Sequence, residues 1–168
     1  MSVFNFKNKN GERFFYAFSH SGDEGIIKGC LKITMRNDGR LEIKIRFRKS
    51  EPYYLKYTQI TNVGVVTEKE IEEANKSVIG RAAIGGLLLG PLGAVVGGVS
   101  GVGKKQKTKS NIFIVINYIS SDSSEPKVIT FLYPTETNFP FSADKFVKEL
   151  REKSGLQPVE KKKINHNL

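Results

Sequence analysis

Cysteine occurs once in this chain, at Cys30, and histidine twice, at His20 and His166. A single cysteine excludes an intramolecular disulfide, which accords with a reducing compartment. A Cys30/His20 pair has no third group to orient it, and Cys30 at the start of a strand reads as a structural thiol, so no catalytic set emerges. The N-terminal MSVFNFKNKNGERFF lacks the apolar run and small-residue cleavage site of a secretory signal, so a cytoplasmic origin is expected. The phosphate-loop form GxxxxGK[ST] is missing too. Gly101-Val102-Gly103-Lys104-Lys105 is only superficially similar to it, with no Ser or Thr after the lysine and no buried strand before it. Glu68, Glu70, Glu72 and Glu73 have no His or Cys nearby, and carboxylates in a first helical turn are favoured by the helix dipole alone. No enzyme activity, metal site or cofactor is expected.

The longest absence is of charge. From Ala82 to Gly103 the chain runs 22 residues, AAIGGLLLGPLGAVVGGVSGVG, without an ionisable side chain, and eight of them are glycine. Small residues recur every fourth position at Ala82, Gly86, Gly90, Ala94 and Gly98, with a second register through Gly93, Gly97 and Gly101. Positions four apart share one helix face, so this spacing makes a smooth groove that lets helix backbones approach closely, in membranes above all. Ile84, Leu88, Leu92, Val95, Val99 and Val102 gather largely on another side. Pro91 sits within Gly-Pro-Leu-Gly, which breaks or kinks a helix, so two short helices folded as a hairpin are expected rather than one rod. Three uses compete: entry into or onto a membrane, a soluble oligomerisation element, and a flap against the host domain. A long apolar surface invites association, which favours the first two.

Positive charge is abundant and uneven. The net charge is +10, and residues 1–67 carry 12 basic against 6 acidic side chains. Lys104, Lys105, Lys107 and Lys109 follow the glycine-rich stretch and Arg81 precedes it. Cations packed against the end of an apolar segment are typical of the cytoplasmic edge of a membrane element.

The rest of the first half reads as β structure. Leu31, Ile33 and Met35 alternate with Lys32, Thr34 and Arg36; after the turn signal Asn37-Asp38-Gly39, Leu41, Ile43, Ile45 and Phe47 alternate with Glu42, Lys44, Arg46 and Arg48. This predicts a hairpin with one apolar and one strongly basic face. Further strands are expected over Arg13–Phe18, Tyr53–Tyr57, Ile60–Val66, Asn111–Ile119 and Lys127–Tyr133. Thr67-Glu68-Lys69-Glu70 has the form of a capping box opening a short acidic helix. Ala143, Phe146, Val147 and Leu150 keep helical spacing in a closing helix that ends near Gly155.

This order resembles the pleckstrin-homology-like fold, including its GRAM and bacterial PH branches. YYLKYTQITNVGVV looks like the strand pair in which such domains place an aromatic-led strand before an Ile-Thr-x-Val strand, and FSADKFVKELREKSG is similar to their C-terminal helix. KSVIGRAAIGGLLLGPLGAVVGGVSGVGKK resembles a glycine-rich insertion in bacterial and phage-encoded proteins of this type. The resemblance implies an α+β domain: a mainly antiparallel, partly open β-barrel, capped by a C-terminal helix and carrying an inserted glycine-rich helical hairpin. The expected division is 1–76 and 104–155 for the domain, 77–103 for the insertion and 156–168 for a disordered basic tail.

In the PH-like resemblance, basic residues around the first hairpin hold phosphorylated lipid head groups, which draws attention to Arg36, Arg40, Lys44, Arg46 and Arg48. A solvated sheet face and nucleic-acid binding compete with that use. Nucleic acid is disfavoured because no aromatic residues interleave with these charges and no helix-turn-helix or zinc-finger signature is present. The expectation is a non-enzymatic module that meets an anionic membrane surface or self-assembles through the glycine-rich hairpin. The alternative is a soluble protein-binding module whose hairpin forms an oligomer core.

Overall fold

The computed structural model describes residues 7–21, 29–67, 111–133 and 143–157. Seven strands among them form one antiparallel sheet: β1 (Arg13–Ser21), β2 (Cys30–Met35), β3 (Arg40–Ile45), β4 (Tyr53–Lys56), β5 (Ile60–Thr67), β6 (Ile112–Ile119) and β7 (Pro126–Tyr133). Their spatial order is β4-β3-β2-β1-β7-β6-β5, so β1 joins the two halves. One helix follows, α1 (Ala143–Lys153). This mainly antiparallel sheet with a closing helix accords with the PH-like architecture read from the sequence. The helical hairpin expected over 77–103, the acidic helix expected after Thr67 and residues 158–168 of the tail expected over 156–168 lie outside the described residues; Leu156 and Gln157 of that tail are described. Thr67 itself ends β5.

The β2–β3 hairpin follows its alternation. Leu31, Ile33, Met35, Leu41, Ile43 and Ile45 are buried in the core, while Lys32↔Lys44 and Thr34↔Glu42 pair on the other face. Gly39 takes φ +86, which lets a three-residue turn close with the Arg36 N–H donating to the Arg40 carbonyl at 3.0 Å.

Phe47 departs from expectation. The alternation continues to it in the sequence, yet β3 ends at Ile45 and Phe47 is 77% exposed. Its cross-strand position would fall opposite Gly29, where φ is +144 and β2 has not begun. Without a partner strand there is no ladder to carry Phe47 onto the core face.

The sheet curls until its edges nearly meet. A single 3-10 turn, Tyr57–Gln59, links edge strand β4 to edge strand β5. The Tyr53 hydroxyl donates to the Tyr118 hydroxyl at 3.3 Å, and the Gln59 side-chain amide donates to the Ile119 carbonyl at 2.9 Å. Both contacts join β4 or its turn to β6, on the far side of the sheet order. Strand twist accumulated over seven strands makes such closure the natural way to bury one face.

α1 plugs the resulting barrel. Ala143, Phe146, Val147 and Leu150 face inward, and the Phe146 ring lies 4.3 Å from that of Phe15 on β1. The helix stops in a Schellman arrangement: Leu156 N–H donates to the Arg151 carbonyl and Gly155 N–H to that of Glu152, with Gly155 at φ +69. Leu156 then packs against the core. β6 is buried on both faces. Ile114, Ile116 and Tyr118 belong to the core cluster, while Phe113 and Val115 are buried on the opposite face beside Val66 and Thr130. This explains why its sequence is an almost continuous apolar run.

Candidate anionic-surface site

β3 carries its cations at two ends, and the two ends differ. At the β2–β3 turn, Arg36 Nε donates to Asp38 Oδ2 at 3.0 Å and Arg36 Nη1 to Glu42 Oε2 at 3.0 Å. Arg40 Nη2 donates to the same Asp38 oxygen at 2.6 Å and its guanidinium lies 4.5 Å from the Tyr54 ring centroid. The Tyr54 hydroxyl also donates to Glu42. These hydrogen bonds, Arg40 first and Arg36 after it, bring the Asp38 carboxyl down to about 2. Two guanidinium groups thus face two carboxylates, and the turn is close to neutral.

The same turn is tied into the fold. Glu12, only 5% exposed, accepts from the Asn8 side chain at 2.7 Å and from the Asn37 N–H at 3.1 Å. The Asn8 hydrogen bond is the main reason its carboxyl lies below the ordinary range, against the opposing effect of burial. The Tyr57 hydroxyl donates to the Arg36 carbonyl at 2.9 Å, and burial pushes its pKa upward.

At the other end, among the described residues, the cations lie against rings. β1 sends Phe14, Tyr16 and Phe18 to the outer face, where Tyr16 is the cross-strand partner of Lys32 and Lys32 that of Lys44. Lys32 Nζ lies 4.2 Å from the Phe14 centroid. The Arg46 guanidinium lies 4.4 Å from the Tyr16 centroid and 4.8 Å from that of Phe47. Lys44, Arg46, Arg48 and Lys49 are all exposed. Aromatic residues therefore do interleave with these charges. The hairpin sequence alone conceals it, because the rings come from β1 and only strand pairing brings them alongside. Their own signal was the spacing Phe14, Tyr16, Phe18, which places three rings on one face of a strand.

The five basic residues singled out on the hairpin are thus not one patch. Arg36 and Arg40 belong to the neutralised turn, and Lys44, Arg46 and Arg48 to the aromatic end. Six residues of extended chain, roughly 20 Å, separate Arg40 from Arg46. Cys30 is half-buried on the outer face, as the partner of Phe18. Arg81, the lysines from Lys104 to Lys109 and the small residues from Ala82 to Gly101 lie outside the described residues. Among the described residues no group of His, Cys, Asp and Glu could hold a metal ion, and no helix is long and apolar enough to cross a membrane.

A family model described as glycine zipper containing PH domain matches residues 23–133, more than half of the chain. The chain belongs to this family. The matched PH-domain span runs from the approach to β2 to the last residue of β7 and takes in the whole glycine-rich stretch. β1, with its three outward rings, and α1 lie outside it. No curated protein and no solved structure matches the chain.

Proposed function

We propose that this glycine-zipper PH domain is a non-enzymatic binding module that associates with an anionic membrane face on the cytoplasmic side, and self-associates there, through its glycine-rich segment. One observation carries the reading. Thr67 and Ile112 are cross-strand partners, so the two ends of the chain between them meet the sheet at a single place. Both ends of the segment then stand on the same side of any bilayer. A re-entrant or self-packing hairpin meets that demand and a single pass does not.

In this reading Ala82, Gly86, Gly90, Gly93, Ala94, Gly97, Gly98 and Gly101 supply close helix contact. Arg81, Lys104, Lys105, Lys107 and Lys109 meet anionic head groups at the two ends of the apolar stretch. The test is sedimentation with anionic liposomes, in which the protein pellets and Gly90→Leu combined with Gly97→Leu reduces assembly. Full recovery as a soluble monomer, unaffected by those changes, overturns the proposal. A defined soluble oligomer by size exclusion with light scattering in detergent-free buffer replaces it with the soluble oligomer core.

A further inference from the structure

We infer that the outer face of β1, β2 and β3 is a platform for single-stranded nucleic acid, on which rings take bases and the cations beside them take phosphates. This goes beyond the membrane reading above and uses none of the residues of the glycine-rich segment. The face lies opposite the core that α1 covers, and strand register orders it in three rows. Phe18, Cys30 and Arg46 form the first, since Cys30 pairs with Phe18 and its carbonyl accepts from the Arg46 N–H at 3.0 Å. Tyr16, Lys32 and Lys44 form the second. Phe14 stands on the third with Glu42, whose carboxylate is held by Arg36 at 3.0 Å. The platform is roughly 14 Å long from Phe14 to Phe18 and roughly 10 Å wide across its three strands.

The chemistry of these rows suits a polyanion built from flat, apolar units. The sequence disfavours nucleic acid for want of rings among the charges, and β1 supplies them. Phe14 and Tyr16 meet edge to face, their centroids 5.7 Å apart. The Arg46 guanidinium is held by two rings, 4.4 Å from the Tyr16 centroid and 4.8 Å from that of Phe47. A guanidinium plane supported in this way stacks on a base as a ring does, and it carries the charge that a phosphate needs. Phe18, 45% exposed, and Phe47, 77% exposed, offer open ring surface at the same end. Residues 44–49 add Lys44, Arg46, Arg48 and Lys49 and no acid.

Three rings on one strand separate this partner from others of like charge. A double helix keeps its base faces stacked inside and would meet the cations alone. A bilayer takes rings that project, whereas Phe14 and Tyr16 are half-buried beneath Lys32 and Arg46. An acidic peptide would engage the cations and leave the rings unused.

The chain contains no tryptophan, so Phe18→Trp in the full-length protein gives a single fluorescent reporter on the platform. A short oligothymidylate should quench its emission, and duplex DNA of the same length should quench it far less. Anisotropy of the labelled oligothymidylate should show binding weakened about fivefold in Phe18→Ala, with its salt dependence unchanged. Lys44→Ala and Arg46→Ala should each weaken binding and lower the slope of log affinity against log salt by about 0.7. These two side chains are exposed, so their variants keep the test open should Phe18→Ala unfold. Equal affinity in the wild type and all three variants, with unquenched Phe18→Trp emission, overturns the platform. Failure to bind the oligothymidylate at low salt overturns it too. Pelleting with anionic liposomes reads the glycine-rich segment separately; liposome binding lost in these variants, with no oligonucleotide bound, overturns the platform in favour of lipid.

Discussion

Arg151 on α1 donates from Nη1 to the Val63 carbonyl of β5 at 2.7 Å. The same nitrogen donates to Asn62 Oδ1 at 2.7 Å, and Nε donates to the Gln157 carbonyl at 2.7 Å. One guanidinium thus fastens the helix to an edge strand and to the chain that follows it. Its partial burial pulls its pKa below the ordinary arginine value. Arg151→Met, which keeps the aliphatic stem and removes the donors, should cost roughly 1.5–3 kcal/mol. A lower urea midpoint with an unchanged m value checks this; an unchanged midpoint contradicts it.

Phe146 is fully buried, with its ring centroid 4.3 Å from that of Phe15. Phe146→Ala should destabilise by roughly 3–5 kcal/mol, since the barrel cannot collapse around the lost ring. Phe146→Leu should cost clearly less. Thermal unfolding of the two variants side by side provides the comparison, and equal losses would mean that the ring is not what plugs the barrel.

Acid should weaken the fold through two carboxyls. Glu12 and Asp38 both have native pKa values below their ordinary 4.5 and 3.8, Asp38 reaching about 2. As pH falls through the ordinary values, the unfolded chain takes up protons that the native carboxyls still refuse, so stability declines. Their stabilisation is complete above the ordinary range and declines as pH falls below it, that of Asp38 being lost towards about pH 2. Asp38→Asn should flatten the lower part of this acid dependence, as measured by urea midpoints across that window. An unaltered profile contradicts the role given to the Arg36–Asp38–Arg40 cluster.

Much of the architecture follows from short-range pattern. The alternation over Leu31–Met35 and Leu41–Ile45, with Asn37-Asp38-Gly39 between, dictates a hairpin whatever surrounds it, because a one-residue slip would turn every apolar side chain to water. The spacing of Ala143, Phe146, Val147 and Leu150 likewise dictates one apolar helix stripe. The lack of charge and the small-residue period from Ala82 to Gly101 mark the glycine zipper in the same local way, as its family membership bears out.

The functional surface was legible only in part, and Phe47 and Arg36 illustrate why. By itself the sequence determined which residues are cationic, which segments alternate and where the chain turns. These depend on neighbours a few positions apart. Whether Phe47 has a partner depended on where β2 begins, and Gly29 at φ +144 leaves it none. Whether Arg36 and Arg40 are free depended on where Asp38 and Glu42 turn their oxygens, and both arginines are taken. Arg46 lies over Tyr16 because β1 pairs with β2. Strand pairing joins residues remote in sequence, so only the tertiary structure could separate a neutral turn from a charged, aromatic tip.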